Sequence, residues 1–198
     1  MQSNIAFVLG NGNSRKRFNI NKLKEKGTVY ACNAVYRDYQ PDHLIAVDTK
    51  MITEINAAGY DKNNSVWSNP NKLTNRLGTI NIMKPHKGWS SGPTALLLAS
   101  QHGHKEIYIL GFDYIGIGDN NEKVNNIFAG TKNYKKNEDR ATYYGNWTRQ
   151  TSQCINMHPR TKYYRVIPKD NYFVPDHLKD LQNLDHVNSE IFTRKFKL

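Results

Sequence analysis

Cysteine is almost absent from this chain. Its 198 residues include only Cys32 and Cys154. With no CxxC pair and no disulfide framework, the sequence suits a reducing compartment. Long apolar runs are missing too, and none approaches the ~20 residues of a membrane-spanning helix. Residues 1–10 are too short and too quickly interrupted for a signal peptide. The expected location is therefore cytoplasmic, with peripheral contact to an anionic membrane left open. Acidic residues are outnumbered: 28 Lys and Arg stand against 17 Asp and Glu, a formal charge of +11. Anionic partners are expected, and nucleotide phosphates, nucleic acid and lipid headgroups all qualify. A merely solvated basic surface fits the charge equally well.

Several chemical signatures are also missing. There is no H-E-x-x-H and no D-x-D. A divalent ion bridging a nucleotide diphosphate would lack its usual ligand pair, so no metal site and no required cofactor are expected. Neither cysteine has a recognisable nucleophile context. The turn after residue 9 is no dinucleotide fingerprint, because Arg15 stands where the third glycine belongs. It is no P-loop either.

What is present is an alternation of short apolar runs with helical segments. Residues 5–9 form one such run, ending in Gly10-Asn11-Gly12-Asn13-Ser14. That reads as a buried strand entering a glycine-rich turn, whose amides can approach a phosphate closely. The alternative is a tight turn with no ligand. Residues 28–31 predict a second strand, with Asn33 just past its end. Residues 44–47 predict a third, ended by Asp48 and followed by a helix over 49–58. Val66-Trp67 and residues 79–83 are weaker strands, separated by an Asn-rich loop over 69–75.

Residues 88–114 hold a complete helix–strand unit. Ser91 suits the N-cap, Pro93 the first turn and Gly103 the stop. Residues 95–99 are apolar on every face, so this helix is expected to be buried. Residues 106–110 form a strand leading to Asp113. Residues 114–146 are rich in Gly, Asn and Lys, without clear periodicity. A segment of that kind beginning at a site reads as a lid. A helix over 147–158, a strand over 163–167 and short helices over 178–184 and 189–196 complete the chain. The expectation is an α/β fold: one Rossmann-like domain over 1–198, with a mostly parallel sheet flanked by helices and a lid-like insertion at 114–146.

In a parallel sheet, strand-end residues converge on one edge. Those residues are Gly10, Asn11 and Gly12, then Asn33, Asp48 and Asp113. Ser90, Ser91 and Gly92 join them at a helix N-terminus, where anions bind. The Asn and Ser donors suit a nucleotide, and each Asp suits a ribose hydroxyl, a general base or a helix cap. His86, just before Ser90, is the best-placed histidine for base chemistry. Lys87, Lys132 or Arg140 can neutralise a leaving phosphate, and Tyr143 or Tyr144 can hydrogen-bond it. His102 and His104 flank Gly103 and are expected to cap the helix C-terminus.

Segments 9–14 (L-G-N-G-N-S), 31–33 (A-C-N) and 90–114 together resemble the bacterial lipooligosaccharide sialyltransferases in order and spacing. That family has a G-N-G-P-S turn, a C-N after the second strand and a T-S-G…G-Y-K-E-I-Y-L-S-G-I-D-F-Y segment. The resemblance implies a Rossmann-like domain with a lid, a CMP-sugar donor, a glycan acceptor and no metal. Asn11, Asn33, Ser90 and Ser91 would contact the nucleotide. The departures are specific. The family's phosphate-binding Arg falls on Gly88, with Lys87 nearest, and its Tyr after D-F falls on Ile115. Its catalytic His follows a Y-x-G triplet, and after Tyr143-Tyr144-Gly145 the next residue here is Asn146. A broader group, including motility accessory factors and archaeal-type pterin diphosphokinases, is similar in its P-D-x-x-x-x-x-D segment. That segment matches Pro41, Asp42 and Asp48 and favours Asp48 as a site residue.

The leading expectation is thus a metal-independent, nucleotide-sugar-dependent glycosyltransferase. Its site comprises Asp48, Asp113, His86, Tyr144 and Asn146 for chemistry, and Gly10, Asn11, Gly12, Asn33, Ser90, Ser91 and Gly92 for the nucleotide. The alternatives are a diphosphokinase-like transferase and a non-enzymatic nucleotide- or nucleic-acid-binding protein. Assembly into a homo-oligomer is left open.

Overall fold

The computed structural model describes residues 3–169 and 172–198. In chain order the elements are β1 (Ile5–Leu9), α1 (Ile20–Lys24), β2 (Thr28–Cys32), β3 (His43–Ile45) and α2 (Thr49–Ala57). Next come β4 (Val66–Ser68), α3 (Lys72–Leu77), β5 (Asn81–Ile82), α4 (Ser91–Gln101) and β6 (Glu106–Leu110). The chain finishes with α5 (Gly145–Met157), β7 (Lys162–Ile167), β8 (Leu184–Asn188) and α6 (Ser189–Phe196). The strands form one eight-stranded sheet in the order β5-β4-β3-β2-β1-β6-β7-β8. Every pairing is parallel. The expected Rossmann-like α/β architecture is therefore present. The direction of winding reverses between β1 and β6, which makes that junction the switch point where ligands bind.

The inner strands read as continuous apolar runs because both faces of the sheet are covered. In β1, Ala6 and Val8 face one cluster with α4 and α5, while Phe7 and Leu9 face the other with α2 and α6. β6 splits the same way, with Ile107 and Ile109 on one side and Tyr108 and Leu110 on the other. Helix α4 is sandwiched as its composition predicts: residues 95–99 are all at most 2% exposed. Burying each leucine there contributes about 1.5–3 kcal/mol relative to exposure.

Several local expectations are corrected. The N-cap of α4 is Ser90, not Ser91, because Ser91 already has helical geometry. The Asn-rich loop contains α3, started by an Asn71–Thr74 capping box and stopped by left-handed Gly78. Residues 178–184 are not a helix. A short 3₁₀ turn at Asp176–Leu178 precedes an irregular stretch, and Leu184 opens the edge strand β8. His102 does occupy the C-cap position of α4, with its backbone N–H on Leu98 O, but its side chain and that of His104 turn to Tyr30 rather than to the helix end. The Tyr30 hydroxyl meets His102 Nδ1 at 2.6 Å and His104 Nε2 at 2.8 Å, and His43 stacks on the Tyr30 ring.

Residues 114–144 contain no α-helix or ladder strand, only isolated bridges at Ile117–Lys123 and Lys123–Arg140. The segment is nevertheless anchored. Phe128 is buried in the second core cluster. Arg37 grips Glu54 through Nε and Nη2 at 2.8 Å each, and also donates to Thr131 Oγ1 and the Lys132 carbonyl. Among the described residues, no helix is long and apolar enough to cross a membrane.

Candidate functional site

A cleft of about 380 Å³ opens at the C-terminal ends of the strands, within the size range of ligand pockets. Gly10, Asn11 and Gly12 reach it from β1, Asn33 from β2, Asp48 from β3, and Gly111, Asp113 and Tyr114 from β6. Ser90, Ser91 and Gly92 line it from the start of α4. Asn125, Asn126 and Tyr144 come from the 114–146 segment, and Trp147 from α5. One cavity thus gathers every predicted nucleotide-contacting residue, together with Asp48, Asp113 and Tyr144.

The first turn packs directly on the loop after β6. Gly10 N–H donates to Leu110 O at 2.8 Å, and Gly12 N–H to Gly111 O at 2.9 Å. A Cβ on Gly10 would lie 2.6 Å from Gly111 O. One on Gly12 would lie 2.5 Å from the Asp113 carboxylate carbon. These glycines are required by close approach rather than by backbone conformation.

The two carboxylates have different circumstances. Asp113 accepts from Ser14 N–H at 3.0 Å, from the Ser14 hydroxyl and from Asn125 Nδ2 at 3.1 Å. It clamps the first turn to the 114–146 segment. Asp48 is exposed at the N-cap of α2, yet its side chain makes no capping bond. Among the described residues its carboxylate has no hydrogen-bond or ion-pair partner. Asp48 is therefore the carboxylate available to a ligand.

Ser91 is the junction between the start of α4 and the ends of β2 and β3. Its hydroxyl donates to Asn33 Oδ1 at 2.9 Å and accepts from Val47 N–H at 3.2 Å. Asn33 adopts a left-handed φ of 55°, which Asn tolerates better than most residues and which turns the chain at the end of β2. Ser90 N–H is taken by Gln150 Oε1 at 3.1 Å. The Ser91 and Gly92 amides have no acceptor among the described residues, so α4 presents free N–H groups and its positive dipole end to the cleft.

Two predicted residues stand apart. His86 is exposed in the irregular stretch before α4 and does not line the cleft, and Asn146 is exposed in the first turn of α5 and does not line it either. Lys87, Lys132 and Arg140 are also outside the lining, as is Tyr143, which is 79% exposed. No Lys, Arg or His lines the cleft at all. Gly88-Trp89-Ser90-Ser91-Gly92 has the G-x-S-x-G spacing of a hydrolase nucleophile turn, although no strand leads directly into it. With no histidine on the cleft wall, Ser90 lacks the imidazole partner of such a nucleophile turn. Among the described residues, no cluster of His, Cys, Asp and Glu is arranged to hold a metal ion.

Sequence reasoning missed four positioning residues. Arg165, only 3% exposed on β7, donates to Phe112 O at 2.9 Å and Asp113 O at 3.0 Å, fixing the loop after β6. A charge set inside residues 163–167, the expected strand, was the available signal. Burial lowers its pKa, while nearby Tyr114 and Asp113 act in the opposite direction. Tyr134 receives hydrogen bonds from Asn11 Nδ2 and Ala34 N–H, both at 3.3 Å. Asn125 accepts from Asn13 N–H at 2.9 Å. Gln150 completes the set through Ser90. The last three carried no local signal. Burial pushes the Tyr144 hydroxyl pKa up, so that group stays a neutral donor at the cleft wall.

No protein-family model matches the chain, and no curated protein or solved structure is significantly similar to it.

Proposed function

We propose that the protein is a metal-independent glycosyltransferase that uses a nucleotide sugar, with a CMP-sugar as donor and a glycan as acceptor. The observation that carries this reading is the convergence of Asn11, Asn33 and the free Ser91 and Gly92 amides on one cleft that also holds the unpartnered Asp48. The nucleotide lies across Asn11 and Asn33, with its phosphate at the N-terminus of α4. Asp48 accepts the proton of the acceptor hydroxyl as that oxygen bonds to the anomeric carbon. The anomeric carbon–phosphate oxygen bond breaks, and the electron pair leaves with the nucleoside monophosphate. The Ser91 and Gly92 amides and the Tyr144 hydroxyl receive the developing charge. Residues 114–146 act as the lid, and Asp113 holds the turn rather than reacting.

The charge of the lining favours a monophosphate donor. No basic side chain lines the cleft, which suits a single phosphate held by amides and a helix dipole better than a nucleic-acid backbone, whose binding rests on Lys and Arg contacts. This supports the proposal over the nucleic-acid reading, and a magnesium requirement would mark the diphosphokinase-like one. The test is turnover of a CMP-sugar in the presence of a chelator, with and without a panel of glycan acceptors. Asp48→Asn is expected to lower kcat by about 10²–10⁴-fold while CMP affinity is retained. Full activity in Asp48→Asn, or activity only with magnesium, contradicts the proposal.

A further inference from the structure

A second cavity, of about 290 Å³, lies beside the first turn and shares no lining residue with the cleft. Arg15 is in its wall and is only 5% exposed. The guanidinium uses Nε to hold Gly10 O at 2.8 Å. Among the described residues, its Nη groups have no acceptor and no carboxylate lies within ion-pair distance. Burial lowers the Arg15 pKa, and Asp38, which also lines this cavity, acts in the opposite direction without pairing with it. Tyr39 lines the same cavity, and its hydroxyl is buried with no hydrogen-bond partner. Burial raises the Tyr39 pKa, so the hydroxyl remains a neutral donor. Phe18, Val35 and Phe128 supply apolar wall.

A buried guanidinium whose Nη groups have no acceptor among the described residues and a buried hydroxyl without a partner, on one cavity wall, form the protein's half of an oxyanion site. We propose that this cavity is a second ligand site, taking a small carboxylate or phosphate carried on an apolar body. The Arg15 fork receives two oxygens, Tyr39 donates to one of them, and the apolar body rests on Phe18, Val35 and Phe128. The volume is just below the roughly 300–1,000 Å³ of ligand pockets, so the body is small, such as one ring. The site is also tied to the cleft. Arg15 holds Gly10, and Ile127, on the same cavity wall, donates its amide to Asn11 O at 2.8 Å.

The test titrates the folded protein with benzoate and with phenyl phosphate, following chemical shifts, with benzyl alcohol as the neutral control. Saturable binding of at least one anion is expected, with benzyl alcohol bound on the order of tenfold more weakly or worse. The tighter of the two anions identifies the head group. Tyr39→Phe removes an unpaired hydroxyl, so its thermal midpoint is expected to match or exceed the wild type. Its anion affinity is expected to fall about tenfold. Arg15→Lys keeps the charge but loses the fork, and is expected to weaken binding as well. If neither anion saturates at millimolar concentration, or if folded Tyr39→Phe and Arg15→Lys both bind as wild type, the proposal is overturned.

Discussion

The Asp113 carboxylate ties the first turn to the 114–146 segment, whereas Asp48 has no partner among the described residues, so amidation should affect the two differently. Consider Asp113→Asn. The carboxylate now accepts from Ser14 N–H, the Ser14 hydroxyl and Asn125 Nδ2. The single amide oxygen of Asn cannot serve all three donors, and the new NH₂ faces at least one of them. Losing one hydrogen bond to a charged group costs about 1.5–3 kcal/mol. For a domain of this size that lowers the melting temperature by roughly 3–12 °C. Asp48→Asn removes a carboxylate that is exposed and unpartnered among the described residues. Its stability should stay within about 0.5 kcal/mol of wild type, or roughly 2 °C. Thermal unfolding followed by circular dichroism at neutral pH reads both. An unchanged midpoint for Asp113→Asn, or an equal fall for Asp48→Asn, refutes the division of labour.

Three further outcomes are expected. Gly12→Ala places a Cβ 2.5 Å from the Asp113 carboxylate carbon and 2.7 Å from the Gly111 carbonyl, so it should cost about 1–3 kcal/mol and reduce nucleotide affinity; urea unfolding and calorimetry measure both. Arg37→Ala releases Glu54, Thr131 and the Lys132 carbonyl, and amide exchange at Gly130, Thr131 and Tyr134 should accelerate about 5–30-fold while β1 and β6 amides are unchanged. The third is pH dependence: burial, reinforced by neighbouring His102, holds the His43 pKa down at about 4, and burial also lowers His102 and His104. The unfolded chain therefore binds more protons than the folded one below about pH 6.5, so stability is full above that pH and falls from there toward about 4. The midpoint of His43→Gln should fall less over this window than that of the wild type.

The sequence announced the core strands and α4 because their apolar runs are long enough to bury. Leu97 and Ile109 have no polar reading. The strand ends were equally legible, since Gly10, Asn33, Asp48 and Asp113 interrupt those runs where a parallel sheet must end. Elements held by few apolar residues were hidden. α3 is specified by the Asn71–Thr74 capping box inside an Asn-rich stretch, and the edge strand β8 is mostly polar, with Leu184 and Val187 its only apolar residues. The division between Asp48 and Asp113 was not legible either, because it depends on Ser14, which is 99 residues away in sequence, and on Asn125 in the irregular 114–146 segment. His86 was placed by proximity to Ser90 along the chain and Asn146 by the resemblance at Tyr143-Tyr144-Gly145, whereas both are exposed and outside the cleft lining.

The central claim is that the strand-end cleft binds a nucleoside monophosphate without metal. Titration of wild-type protein with CMP in the presence of a chelator, by calorimetry, tests it most directly. The account predicts one saturable site whose affinity falls when Ser91→Ala breaks the Asn33 and Val47 contacts. No binding of CMP to the folded protein, or binding that survives Ser91→Ala but requires magnesium, contradicts it.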